Sequence, residues 1–308
     1  MAQNIPLRGL ALTAVLAGLA GCSLSPLARR TSDFSSAAMA TSIELTAAYD
    51  TVETVHRQRQ TARLVREYDP ARGLDRNAIQ PLFPAKDRKV REQIVASLTR
   101  YAETLAAVSG DQPLKAVDTG AQALNTSLHS LASSDELASY VKQAGVSGVD
   151  LNLATSALDA LGRALVERKR AHELPGLLKA MKEPVHNICA LLAGEIGEPG
   201  VHGLRAQLAQ DYETLLHEQN TFIKDNAALS PSERRAEIEQ LPRLVEAEAA
   251  GDRALAATQE ALLQLARTHD ALAETAQAKD APGFRALLAE LVADEQQVRT
   301  FYAKLPTQ

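Results

Sequence analysis

Apolar residues recur at spacings of three and four along almost the whole chain, and the period-two alternation of a half-buried strand is missing. That pattern belongs to amphipathic helices. Leu45, Tyr49, Val52 and Val55 mark a first helix over residues 37–67, which stops before Asp69-Pro70 and a loop carrying Pro81 and Pro84. Ile94, Leu98, Tyr101, Leu105 and Val108 form a narrow seam. Leu114, Val117, Ala121, Leu124, Leu128 and Leu131 repeat it after Gly110-Asp111, so this pair predicts an antiparallel helical hairpin. Ser133-Ser-Asp-Glu136 reads as a capping box opening a short helix that ends near Gly145. Leu151, Ala154, Leu158, Leu161 and Leu165 carry the next helix, closed by Arg168-Lys169-Arg170, cations that suit a solvated helix C-terminus.

From Leu174 to Ile196 the stripe is Leu178, Met181, Val185, Cys189 and Leu192, with Pro184 inside it. Proline has no N–H to give the Ala180 carbonyl, so a kink or a fresh helix start is expected there. Gly194, Gly197 and Gly200 surround Pro199 and end the segment, after which Leu204, Leu208, Tyr212, Leu215 and Phe222 build a long helix to about Leu229. Ser230-Pro231-Ser232-Glu233 is a sharp start signal: Ser caps, Pro fills a position needing no donor, and Glu closes the box. The helix beyond is predicted to reach Ala278 with a bend near Pro242, and Asp280-Ala-Pro282 starts a last one lined by Phe284, Leu288, Leu291, Val298, Phe301 and Leu305. The fold class is therefore all-α, a bundle of long, partly antiparallel helices over residues 37–308.

Composition sharpens this picture in two ways. Apolar residues make up 45% of the 308 but aromatics only 4%, with no Trp, so the core must come from Leu, Val and Ala. The net charge of −5 offers no basic surface, so nucleic acid is not an expected partner.

The first 21 residues stand apart. After Arg8, an uncharged run from Gly9 to Ala20 leads into Leu19-Ala20-Gly21-Cys22, which overlaps its end. As a helix the run would be about 18 Å long, short of the ~30 Å of a hydrocarbon core, so it reads as a secretory signal. Its end resembles the lipobox of bacterial lipoproteins. The resemblance implies that Leu19, Ala20 and Gly21 are recognised by the signal peptidase. It also implies that Cys22 carries a diacylglycerol thioether and becomes an acylated N-terminus. Ser23 stands where an Asp would retain such a protein at the inner membrane, so the implied address is the outer membrane, facing the periplasm. The Ser-rich segment after Cys22, to residue 36, is expected to be a flexible tether with Arg29 and Arg30 solvated. With Cys22 acylated, Cys189 is left as a lone thiol, safest buried.

Chemistry beyond the anchor is sparse. Two Glu-x-x-His pairs, Glu53/His56 and Glu183/His186, have the spacing used for dinuclear metals inside helical bundles. Both lie beside the apolar stripes rather than on them, and Pro184 interrupts the second. They are expected to be exposed polar residues. His186 with Cys189 supplies two ligands at most, and Cys189 falls on an apolar stripe where a small hydrophobe belongs. His269 shares the Leu262, Leu265 and Leu272 face and is expected to be a satisfied core histidine, while Glu248 and Asp252 look outward at a bend. No phosphate loop, cysteine cluster or nucleophile elbow is present, so neither an enzyme nor a cofactor is expected. The expected role is a lipid-anchored envelope protein whose non-catalytic body holds or recruits another envelope protein. A small-ligand- or metal-binding bundle and a membrane-active bundle are the rivals.

Overall fold

The computed structural model describes residues 25–109 (except 72, 74 and 76), 174–304 (except 279) and short stretches between 125 and 160. Among the described residues the helices are α1 (Pro26–Arg66), α2 (Ala85–Ser109), α3 (Asp135–Ala144), α4 (Leu174–Ala180) and α5 (Lys182–Ile196). They continue with α6 (Gly203–Asp225), α7 (Pro231–Ile238), α8 (Gln240–Glu274) and α9 (Pro282–Lys304). The chain is an all-α bundle, as its periodicity predicts. No described helix is long and apolar enough to cross a membrane.

Helix α1 begins eleven residues before its predicted start, and the expected tether is corrected accordingly: from Pro26 onward the segment is ordered helix. Ser25 caps it, its hydroxyl accepting from the Ala28 amide at 3.1 Å, and Pro26 takes the first helical position. Phe34 is fully buried. Arg30 is also buried rather than solvated, and its guanidinium donates to the Ala278 carbonyl at 2.8 Å. The misleading feature was polarity. Thr31, Thr41 and Ser42 are buried hydroxyls that donate to carbonyls of their own helix one turn back. A Ser/Thr-rich stretch can therefore sit inside a core without an unpaired donor.

Elsewhere the start and stop signals work as read. Helix α4 ends at Ala180 and α5 restarts at Lys182, so Pro184 stands in the first turn of a new helix, where its missing N–H costs nothing. Ser230 and Glu233 form the complete reciprocal box at the start of α7, and Pro242 lies in the first turn of α8 after a break at Glu239. The Ser133 cap and the Arg168-Lys169-Arg170 end lie outside the described residues. So does most of the predicted partner of α2 over residues 112–131, of which 125, 126 and 129 are described and helical. Of the helix predicted from Leu151, residues 152, 154–157, 159 and 160 are described and helical.

Helix α1 is the central post. Antiparallel to it run α2 (Thr99 hydroxyl to Ser42 hydroxyl, 2.8 Å; Arg88 to Asp50, 2.9 Å) and α8 (Phe34 on His269, ring centroids 5.4 Å apart). Parallel to it runs α6, where His56 meets Asp211 and Arg66 meets Glu218. Helix α9 also runs parallel, with Arg299 beside Glu44. Helices α5 and α6 follow one another along α8, joined by a tight turn in which Glu198 and His202 form a single antiparallel bridge. At the crossing of α6 and α8 Gly251 lets the backbone close on Leu208, whose Cδ2 lies 2.9 Å from where a Cβ would stand. The core is the Leu/Val/Ala assembly that the composition demands, with Phe34, Tyr101, Tyr140 and Phe284 as its large members.

Candidate functional site

Along the seam between α1 and α2 lies a groove of about 400 Å³, walled by Met39, Ile43, Phe83, Val95 and Ala96. That volume falls in the range of small-molecule sites, but this groove is open along one side. Ile43 on its rim is 69% exposed. The polar end holds Asp50, Arg88 and Glu92, where Arg88 donates to both carboxylates at 2.9 and 3.1 Å.

Beneath the groove lies a buried polar cluster. Glu195 of α5 accepts from the Arg91 guanidinium on one oxygen at 2.5 Å, and from the Tyr49 and Tyr140 hydroxyls on the other at 2.5 and 2.7 Å. The Arg91 guanidinium is sandwiched further, 4.1 Å from the Phe83 ring centroid and 5.0 Å from that of Tyr140. Burial first, then the neighbouring Glu195 charge, pushes both tyrosines well above their ordinary pKa, so they remain protonated donors. The cluster ties α1, α2, α3 and α5 together and fixes the groove's floor, since Tyr49 and Arg91 of the cluster, with Phe83 stacked on it, also line the groove. Sequence reasoning missed it. The available signal was a charged residue inside a buried stripe: Glu195 sits three after Leu192 and next to Ile196, and Arg91 sits three before Ile94.

The predicted metal pairs do not converge. Glu53 is buried, correcting the expectation of an exposed face. Its carboxylate accepts from Arg57 at 2.8 Å and from the Leu82 amide at 3.0 Å, pinning the loop before α2. His56 turns the other way, its Nδ1 lying 3.2 Å from a fully buried Asp211 oxygen, while Arg59 lies 3.0 Å from the second oxygen. Glu183 and His186 are exposed, as expected. Among the described residues no three His, Cys, Asp or Glu are grouped to hold a metal ion. Cys22, Ser23 and the Leu19, Ala20 and Gly21 triplet lie outside the described residues.

Two further buried sites have other logic. Cys189 is fully buried and its thiol is pushed up to about 12 by desolvation, then by the charge of Asp270. His269 has its Nε2 at 2.8 Å from the Tyr101 hydroxyl, while its Nδ1 is buried without a partner, so it is only half satisfied. Burial drives its pKa down to about 3. Asp252, expected to look outward, is bridged by Arg205 at 2.7 and 3.0 Å across α6 and α8.

The chain matches no family model, no curated protein and no solved structure.

Proposed function

We propose that this protein is a lipid-anchored component of the bacterial cell envelope, attached through Cys22, most consistently to the outer membrane. Its non-catalytic helical body recruits a partner protein through the groove between α1 and α2. The observation that carries the binding role is the groove itself: apolar walls on helices locked by the Glu195 cluster, with an exposed Ile43 at the mouth. A preorganised apolar trough binds without an ordering cost, because its side chains are already held. Its open side favours one or two apolar side chains of a protein over a small molecule, which needs to bury most of its surface. The acidic-basic pairs of Asp50, Arg88 and Glu92 at one end supply a polar rim.

The anchor is tested by Cys22→Ser, which is expected to release the protein from membranes while its helicity and Tm hold; a variant still membrane-bound counts against the anchor. A photocrosslinking residue at Thr46 tests the groove. One discrete adduct is expected in cells, and Ile43→Glu is expected to abolish it at unchanged Tm. An adduct indifferent to Ile43→Glu sinks this reading. Saturable uptake of a fatty-acid probe, blocked by Ile43→Glu, transfers the groove to a small apolar ligand.

A further inference from the structure

Only Ser23 and Leu24 separate Cys22 from Ser25, the cap of α1. Three Cα steps of extended chain span about 11 Å at most. The first turn of α1 is not a loose end that could swing away from the body. Arg30 donates to the Pro26 carbonyl at 3.2 Å and to the Ala278 carbonyl at 2.8 Å, clamping that turn to the chain just after α8. Phe34, one helical turn on, is inserted against His269 of α8. A lipid on Cys22 therefore holds one defined end of the bundle, made of the first turns of α1 and α9 and the turn that ends α8. From this end α1 runs the length of the molecule, 41 residues or about 60 Å, towards the α6–α7 connection at the opposite end.

Resting on the anchor reading above, we propose that this end faces the lipid headgroups and that the bundle stands on it, with the α6–α7 tip about 60 Å away. Charge disfavours lying on the α9 flank more than it disfavours standing. Among the described residues the exposed cations at this end are Arg29, Lys179 and Arg285, with Lys182 half-buried, and the exposed acids Asp33, Glu183, Glu274 and Asp280 balance them, Asp280 pairing with Arg285 and Glu274 with Lys182. The flank of α9, which a molecule lying on that side would press on the membrane, has no Lys or Arg between Arg285 and Arg299 and exposes Glu290. An anionic surface attracts cations and repels carboxylates. The stance also places the groove. Met39 to Asp50 lie 13 to 24 residues along α1, about 20–36 Å above the headgroups, within reach of a water-exposed domain of a partner and beyond its membrane-embedded part.

Full-length lipidated protein in vesicles of phosphatidylethanolamine and phosphatidylglycerol, with a nitroxide quencher on the headgroups, provides the test. Single cysteines for a fluorophore are introduced at three exposed positions: Ser32→Cys near the anchored end, Gln297→Cys on the α9 flank and Ser232→Cys at the tip. Position 297 lies 15 residues into α9, about 22 Å up from its start, so standing and lying molecules differ there. Buried Cys189 does not compete for label. Quenching several-fold stronger at position 32 than at 297 or 232 is the expected result. Equal quenching at 297 or 232 overturns the standing orientation, and vesicle-bound protein unquenched at 32 overturns the assignment of the membrane-facing end. Protein that does not sediment with vesicles, with an unmodified Cys22 by mass, instead removes the anchor and the inference with it.

Discussion

A carboxylate taken out of water costs several kcal/mol unless donors meet its oxygens, and Glu195 is met by three, from α1, α2 and α3. Removing that acceptor strands a buried guanidinium and two buried hydroxyls together. Glu195→Ala is therefore expected to cost about 3–5 kcal/mol in urea unfolding and to loosen the groove floor. Glu195→Gln, which keeps one acceptor, is expected to cost less. A loss under about 1 kcal/mol for the alanine variant would mean that Arg91 and the tyrosines find water instead. This cluster also marks how far the site was legible in the sequence. Spacing placed Tyr49, Tyr101, Cys189 and His269 on inner faces correctly, because one helix's period decides that much. Periodicity says nothing of which inner faces meet, so four residues from α1, α2, α3 and α5 gave no joint signal. Glu53 escaped for a related reason: its position beside Val52 looks outward on an isolated helix, but the loop before α2 folds over it.

Helix punctuation is where the chain is most readable, and the α5–α6 turn shows its strictest point. Gly197 and Gly203 have φ of +74° and +82°, and a Cβ at Gly203 would sit 2.4 Å from the Glu195 carbonyl oxygen. Gly200, at φ +69°, has open space around it. Gly203→Ala must therefore bear both left-handed strain and a backbone clash, whereas Gly200→Ala bears the strain alone. The expected losses are about 3 kcal/mol or more for the first and about 1 kcal/mol for the second, by thermal or urea unfolding. Equal losses would show that the turn relaxes around the added methyl. Glycine and proline signals carried the boundaries at 180–184, 197–203, 230–233, 239–242 and 280–282, since their backbone limits act locally whatever surrounds them. The start of α1 failed because its Ser25-Pro26 cap has the same form as Ser230-Pro231 without the closing Glu, and Ser/Thr content argued for a coil. What settles that segment is tertiary: Phe34, Ala37 and Ala38 are buried, Phe34 against His269 of α8, and polarity of neighbouring hydroxyls is no obstacle once each bonds back along the helix.

At the scale of the molecule, α9 packs on α1 and α8 over two buried acids. Glu44 of α1 and Glu295 of α9 are 2% and 6% exposed; both Glu44 oxygens and one of Glu295 have no hydrogen-bond partner. Asp294 and Glu295 face Glu44 across the helices, and the Arg299 guanidinium, 3.7 Å from Glu44, offsets them only in part. Desolvation raises Glu44 from its ordinary 4.5 to about 8 and Glu295 to about 7. Both acids therefore hold their protons better folded than unfolded. Their contribution is complete below about pH 4.5 and is lost as pH rises through 7 to 8, where ionisation puts two like charges into one apolar seam. His269 acts with the opposite sign: its pKa falls from 6.5 to about 3, so the stability of its neutral form is lost as pH drops from 6.5 toward 3. Stability is thus expected to decline on both sides of mildly acidic pH, for two separable reasons. Glu44→Gln separates them, because it removes one ionisation on the alkaline side and leaves His269 untouched. Its Tm is expected to exceed the parent's by about 5 °C at pH 9, to converge with it near pH 5, and to follow the same acid limb. A parent Tm flat from pH 5 to 9 would mean that water reaches Glu44 when α9 shifts, and that the seam between α1 and α9 opens without unfolding the rest.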